Sequence, residues 1–218
     1  MGNQLLEPVV QESTPSLIAR RLRQAIGRGF LLPGQQLNEA SLAKELGVSR
    51  GPLREAMQRL TQEGLLVSIR NRGLFVIEVT DDDVRDMYLA RTAVERAAAA
   101  KIIEDESADA GRRLMEAATA MRTVADSEDK HALTEADIAF HALLVELAGS
   151  ARLSRMHKTL MVETRMCITA LETRYRSHKF RLKEHMDIAK AVHKRDAPLA
   201  DRLLIAHMED AVSRLSSD

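Results

Sequence analysis

From Thr80 to the C-terminus, helical periodicity takes over from every β signal in the chain. Apolar residues recur three and four positions apart, and the breaks come from acidic or Gly/Ser clusters and from Pro198. This spacing predicts helices over 81–104, 107–124, 131–148, 151–175, 178–194 and 197–215. Their connections are short, as an antiparallel bundle requires. The second half of the chain is therefore expected to be an all-α domain, residues 79–218, without internal repeats or low-complexity tracts.

Residues 1–78 read differently. They hold 10 basic against 7 acidic residues, while the remainder carries 22 against 25, a weak sign of a polyanionic partner for the first part. The first 13 or so residues are expected to be flexible. Beyond them, Ser16–Gly27 carries Leu17, Ala19, Leu22 and Ile26 at helical spacing, and LLPGQQL turns through Pro33–Gly34. Asn38 is placed to cap a short helix, Glu39–Leu46, that Gly47 stops. Ser49 is placed to cap the next helix, with Pro52 tolerated in its first turn. Along that helix Leu53, Ala56, Met57 and Leu60 form the apolar face, and Arg50, Arg54 and Gln58 form a separate polar stripe. Two short helices joined by a glycine turn, the second with an arginine-bearing face, match a helix-turn-helix. Arginine pairs its planar fork with guanine edges, and basic residues and helix N-termini hold phosphates. LLVSI and LFVIEV, separated by Arg70-Asn71-Arg72-Gly73, read as a hairpin whose basic tip touches DNA backbone or minor groove. The fold class expected is mainly α, a winged helix-turn-helix over residues 1–78 followed by a helical bundle.

The composition, 45% hydrophobic and 29% charged with 10 Gly and 5 Pro, is that of an ordered, helix-rich protein. A single cysteine, Cys167, excludes an intrachain disulfide and is expected to serve packing. No apolar run approaches the roughly 18 residues of a membrane span, and MGNQLLEPVVQEST lacks the regions of a signal peptide. A cytoplasmic location is expected.

Polar residues on apolar faces carry the functional signal in the bundle. Val84, Met87, Tyr88, Val94, Ala98 and Ile102 form the inward stripe of the first bundle helix, and Arg91 and Glu95 lie within it. Two readings stay open on these residues alone. One is an Arg91–Glu95 pair at the bundle edge; the other is an arginine aimed into a pocket to take a carboxylate through two parallel hydrogen bonds. In EADIAFHALL, Asp137 and His141 share the side of Leu133, Phe140, Leu144 and Leu147. A buried carboxylate and imidazole are costly unless paired or bound to metal. His185 lies with Leu182, Ile188, Ala189 and Val192, and His207 with Leu203 and Ala211. One Asp and three His from three helices suit a divalent transition metal with open positions. Zinc is the expected ion; nickel, manganese and iron are compatible. A core histidine satisfied by a hydrogen bond is the plain alternative at each position. His157 and His178 also lie near apolar stripes, so periodicity does not select the three, whereas His131 and His193 read as surface residues.

PGQQLNEASLAKELGVSRGPLREAMQRLTQEGLL followed by RNRGLFV resembles the DNA-binding domain of GntR-family bacterial repressors over about residues 14–78. The resemblance implies that Ser49, Arg50, Gly51 and Arg54 contact operator bases and phosphates, with Gly73 as the wing glycine beside Arg72. Some members carry a DNA-contacting arginine early in the second helix, where this chain has Ala40, so their operators do not transfer. YLARTAVERAAAA, ADIAFHALLVELAG, EHMDIAKAV and AHM, in that order, resemble the FCD effector domain of the FadR subfamily over roughly 80–215. This resemblance implies that Asp137, His141, His185 and His207 ligate a metal, and that Arg91 helps bind a small carboxylate whose oxygens complete the coordination. The span resembles the shorter, VanR-like branch rather than the longer acyl-CoA-binding type.

The implied protein is a homodimeric regulator, a repressor rather than an enzyme, on a palindromic DNA operator. A small carboxylic acid such as a sugar acid or a hydroxy- or dicarboxylate would bridge Arg91 and the metal. It would then shift the bundle and the linker near 78–82 and weaken operator binding. Two alternatives remain: a metal-responsive regulator with no organic effector, and a metal-dependent hydrolytic enzyme fused to a DNA-binding domain. The second lacks an evident general base other than Glu95, which Arg91 would hold ionised.

Overall fold

The computed structural model describes residues 12–125, 130–170 and 178–215, which divide into two units, Met1–Glu78 and Val79–Asp218. The expected flexible N-terminus falls mostly outside the described residues, as do the side chains of His131 and His178 and the end of the helix predicted to reach 175.

In the first unit, α1 (Thr14–Gly27) starts two residues before the predicted Ser16, because Ser13 caps it by accepting from the Ser16 N–H. Its Ile18, Ala19, Leu22 and Ile26 are buried, as are Leu53, Ala56, Met57 and Leu60 of α3 (Arg50–Gln62), against which it packs. Arg23 adds a two-point ion pair to Glu63 at the C-terminus of α3, at 2.8 and 2.9 Å. Between them, α2 (Glu39–Leu46) is capped by Asn38, whose side chain accepts from the Ser41 N–H, and ends on Gly47 at φ 66°, a left-handed conformation that suits glycine. Ser49 occupies the cap position of α3 in extended conformation, but its side chain makes no capping bond. The third helical residue is Pro52, which has no N–H to offer the hydroxyl.

The wing is a three-stranded sheet, not a simple hairpin. β2 (Leu66–Ile69) pairs antiparallel with β3 (Gly73–Val76), in register Leu66↔Val76 and Ile69↔Gly73. β1 (Gln36–Leu37) pairs along the other edge of β3, Gln36↔Phe75 and Leu37↔Leu74. Two residues are too few to show alternation, so β1 was not legible behind the Pro33–Gly34 turn.

The second unit comprises, among the described residues, α4 (Asp81–Glu104), α5 (Ala108–Ala125), α6 (Lys130–Leu147), α7 (Ala151–Ala170), α8 (His178–His193) and α9 (Ala197–Leu215). Thr80 and Asp83 close a reciprocal capping box at the start of α4. Short links at 105–107, 148–150 and 194–196 join successive helices, and the last two of them turn α6 onto α7 and α8 onto α9, whereas α5 packs on α6 and α8. Phe140, Leu144, Leu114, Ile188 and Leu204 belong to the main core. A second cluster joins Val84, Met87 and Tyr88 of α4 to Cys167 of α7 and to Met208, Ala211 and Leu215 of α9. Gly111 lets α5 close on α8, since a Cβ there would stand 2.6 Å from the His193 Cα. No described helix is long and apolar enough to cross a membrane.

Candidate metal centre and nucleic-acid interface

On α3, Arg50, Arg54 and Gln58 are all exposed, with Ser49 and Gly51 exposed at its N-terminal end. Arg54 is held by Glu39 of α2 at 2.7 Å. An exposed pair contributes on the order of 0–1 kcal/mol, so Arg54 is held only weakly. At the wing tip, Asn71 takes φ 63° and Gly73 φ 102°, and the Arg72 guanidinium lies 5.3 Å from the centre of the Phe75 ring. Gln36 of β1 donates to the Arg72 carbonyl at 2.5 Å, so the unforeseen strand braces the tip.

In the bundle, Arg91, Glu95, Asp137, His141, His157, Thr164, His185 and His207 are all buried. His141 on α6, His185 on α8 and His207 on α9 converge, their ligand nitrogens within 4.8 Å of one another. The His141 Nε2 lies 3.1 Å from the Nε2 of His185 and 3.1 Å from that of His207. The Asp137 carboxylate reaches the cluster through the His185 Nε2 at 3.3 Å. Phe140, one residue before His141, packs edge-on against the His141 and His185 rings.

Carboxylates fix the tautomers of two of these rings. The His141 Nδ1 lies 2.6 Å from Glu95 Oε2, and the His207 Nδ1 lies 3.0 Å from Glu184 Oε2. An ionised carboxylate only accepts, so each Nδ1 carries the proton. Burial drives both imidazoles down to about 3, with neighbouring Arg91 adding to the effect at His141 and neighbouring His185 at His207. With both rings neutral and protonated at Nδ1, their Nε2 lone pairs would face each other across 3.1 Å. A cation between the two nitrogens relieves that repulsion. Two nitrogens each about 2.1 Å from one ion stand about 3 Å apart at the right angle of an octahedral site and about 3.4 Å apart at the tetrahedral angle, so small adjustments of the rings bring the donor set onto a divalent metal. Glu95 and Glu184 take the place of the outer carboxylates that orient metal-bound histidines.

Glu95 is a hub. It accepts from the Arg91 Nε at 3.1 Å and, through the same oxygen, from the His157 Nε2 at 2.9 Å, besides holding His141. Burial would raise its carboxyl pKa, but His141 and Arg91 more than reverse this and hold it well below the usual range. Burial likewise works against the Arg91 charge, and Glu95 beside it restores it. The Arg91–Glu95 pair does form, but both side chains are buried, so the arginine head does not reach water as a pair at the bundle edge would let it.

The Arg91 guanidinium lies over the Tyr88 ring, 4.9 Å from its centre. Its Nη1 reaches Thr164 Oγ1 at 3.5 Å, whereas its buried Nη2 has no hydrogen-bond partner among the described residues. Arg91 lines a cavity of about 10 Å³ with Tyr88, Asp137, His207, Asp210, Ala211 and Arg214. Arg91, Asp137, His141, His185 and His207 therefore gather in one region of the bundle, and His157 joins them as a brace for Glu95. His193 is exposed. The periodicity did not reveal Glu184, which flanks the inward stripe of α8 and meets His207 only because α9 packs alongside. His157 was visible as one of several histidines near an apolar face, but its partner on α4 was not.

A winged helix-turn-helix followed by a helical bundle of this kind is the architecture of a bacterial DNA-binding transcriptional regulator. The family of bacterial regulatory proteins named gntR matches residues 16–76, and the FCD domain family matches residues 86–210. The chain belongs to the GntR family, in the FadR-like group that carries an FCD domain. It is 29% identical to the HTH-type transcriptional regulator YdhC of Bacillus subtilis over 86% of this chain and 84% of that one. It is 28% identical to the HTH-type transcriptional repressor RspR of Escherichia coli over 94% of this chain and 87% of that one. Among solved structures, a putative GntR transcriptional regulator from Rhodococcus sp. RHA1 superposes with a TM-score of 0.77 at 28% identity, covering 94% of this chain and 98% of that one.

Proposed function

We propose that this DNA-binding regulator is a repressor whose operator affinity is set by a small carboxylate bound beside a metal ion in the helical bundle. The observation that carries the reading is the convergence of His141, His185 and His207, the Nε2 of His141 3.1 Å from each of the other two, beside Asp137, with Glu95 and Glu184 at the Nδ1 of His141 and His207. His141, His185, His207 and Asp137 would hold the ion, zinc being the best match to three imidazoles and a carboxylate, with nickel, manganese and iron compatible. Bound there, the ion supplies open positions for a carboxylate oxygen. Arg91 brings the specificity: its orphaned Nη2 and neighbouring nitrogens form a fork for an anion. Glu95 keeps Arg91 and His141 in place, and Thr164 steadies the guanidinium.

Ser49, Arg50, Gly51 and Arg54 would read the operator, with Arg72 and Gly73 at the wing. Leu89 on α4 and Met156 on α7 are large apolar side chains left 69% and 58% exposed, which supports their burial in a homodimer on a palindromic site. The likeness to RspR, named a repressor, supports repression. A cytoplasmic location follows from the role. The enzyme reading is disfavoured because Glu95, the nearest base, already accepts three hydrogen bonds in the interior.

The test selects an operator from a random duplex library with the full-length protein, then measures its affinity for chelated protein, zinc-loaded protein, and zinc-loaded protein with citrate, malate, gluconate or lactate. Release by at least tenfold with zinc plus one acid, absent with the acid alone, is expected. Identical affinity under all conditions overturns the effector reading, and a response to zinc without any acid replaces it with a metal sensor.

A further inference from the structure

The outer face of the wing carries a hydrogen bond that no strand ladder requires. Gln36, Phe75 and Val67 stand in one row across the sheet, Phe75 being the register partner of the other two. The row lies on the side away from the core, since Leu37, Val76 and Leu66, their neighbours along the strands, are buried. The next residue of β3 on the outer face is Gly73, diagonal to Gln36. Having no side chain, Gly73 leaves that diagonal open: a Cβ there would stand 3.3 Å from the Gln36 Nε2. Through this gap the Gln36 amide donates to the Arg72 carbonyl at 2.5 Å.

Both backbone polar groups of Arg72 are thereby held. Its N–H donates to the Ile69 carbonyl at 3.0 Å, closing the turn, and its carbonyl takes the Gln36 amide. The neighbouring residues do not fix this peptide by themselves. Asn71 has φ 63° and Gly73 φ 102°, and a glycine turns over a wide range. The bond from β1 removes that freedom, and with it the freedom of the Arg72 Cα–Cβ direction. The guanidinium then lies over the Phe75 ring, 5.3 Å from its centre, where the aromatic face attracts a cation.

We propose that Gln36 is a positioning residue for DNA recognition: by holding the Arg72 carbonyl, it sets the direction in which the wing presents Arg72 to the minor groove of the operator. This rests on reading Arg72 as a DNA contact. An arginine ordered beforehand loses less freedom on entering the groove. It also meets the groove at one depth, which lets it sense the width and edge pattern that separate A·T from G·C pairs. Gln36 acts through Arg72, so its effect vanishes when the Arg72 side chain is removed.

The test is anisotropy titration of the full-length protein on the operator selected from the random library, and on copies in which each A·T pair is replaced in turn by G·C. Pairs whose replacement weakens the parent but not Arg72→Ala mark the position of the wing. Gln36→Met keeps the length of the side chain and removes the donor. It is expected to bind the operator about three- to tenfold more weakly, the worth of one hydrogen bond, and to lose the parent's discrimination at those same pairs. In an Arg72→Ala background it should change nothing further. Unchanged operator affinity, retained discrimination, or a loss of equal size in both backgrounds overturns the proposal and leaves the wing contact standing. An Arg72→Ala variant that binds every duplex as the parent does overturns the wing contact and this proposal with it. Should Gln36→Met fail to fold by circular dichroism, Gln36→Asn, which draws the same amide back by one methylene, decides by the same criteria.

Discussion

The Glu95 carboxylate stands 2.6 Å from the Nδ1 of His141 and, through its other oxygen, 3.1 Å from the Nε of Arg91. One interior side chain thus orients the central histidine of the cluster and neutralises the arginine that faces the cavity. Removing its charge leaves a buried guanidinium without compensation. Glu95→Gln is expected to cost about 3–5 kcal/mol of stability, as breaking a buried pair from one side does. It should also weaken zinc binding roughly 10- to 100-fold through misorientation of His141. Urea unfolding of chelated protein and competition against a zinc indicator measure the two effects separately. A variant as stable as the parent contradicts the hub role.

Acid should destabilise the metal-free protein before any carboxylate titrates. His141 and His207 are held down at about 3 by burial, against an ordinary value of 6.5. Between these values the unfolded chain binds protons that the folded chain refuses, so stability falls as pH falls, by on the order of 1 kcal/mol per pH unit for each histidine. The lowered pKa of Glu95 works in another window: its contribution is present above the unfolded carboxyl value, near 4.3, and is lost only below it. Urea midpoints of chelated protein should therefore drop between pH 6.5 and 5, and His207→Gln should roughly halve the slope. A flat profile in that range contradicts the burial of both imidazoles in neutral form.

DNA binding should separate the two arginines of α3 from the rest of its surface. Arg50→Ala and Arg54→Ala are each expected to cost about 1–3 kcal/mol where they reach base edges, and a lost phosphate contact lowers the salt slope by about one unit. Glu39→Ala, which releases Arg54 from its exposed pair, should leave affinity equal or slightly higher. Anisotropy titrations on the selected operator at several salt concentrations measure this. Unchanged affinity in both arginine variants moves the interface elsewhere.

Cys167 should be silent in the folded state. Burial, aided by nearby Glu163, pushes its thiol up to about 12, and its neighbours Met87, Tyr88 and Met208 are apolar or amphipathic side chains of the second core cluster. Iodoacetamide at pH 8 is expected to leave native protein unmodified and to label it fully in urea, because only the thiolate attacks. Rapid labelling of the folded chain contradicts a packing role.

Much of this architecture was written in local pattern. Asn38, Gly47 and the apolar faces of α1 and α3 carry their own caps and periods, and the six bundle helices follow from spacing that tertiary contacts do not override. The elements that stayed hidden depend on partners distant in sequence. β1 is two residues long and exists only because β3 offers an edge to Gln36 and Leu37. Ser49 looked like a capping residue until Pro52 removed its partner. Asp137, His141, His185 and His207 stood out as polar residues on apolar faces, since their burial demands compensation. What compensates them, Glu95 across from α4 and Glu184 at the flank of α8, required the packing of helices that no single helix encodes.

The most direct measurement is the metal content of untagged protein purified without chelator, by elemental analysis, beside a His185→Ala/His207→Ala variant whose fold is verified by circular dichroism. The account predicts about one divalent transition metal per chain in the parent and its loss in the variant. A parent that stays free of metal even after dialysis against zinc, nickel and manganese contradicts it, and would make His141, His185 and His207 a hydrogen-bonded core.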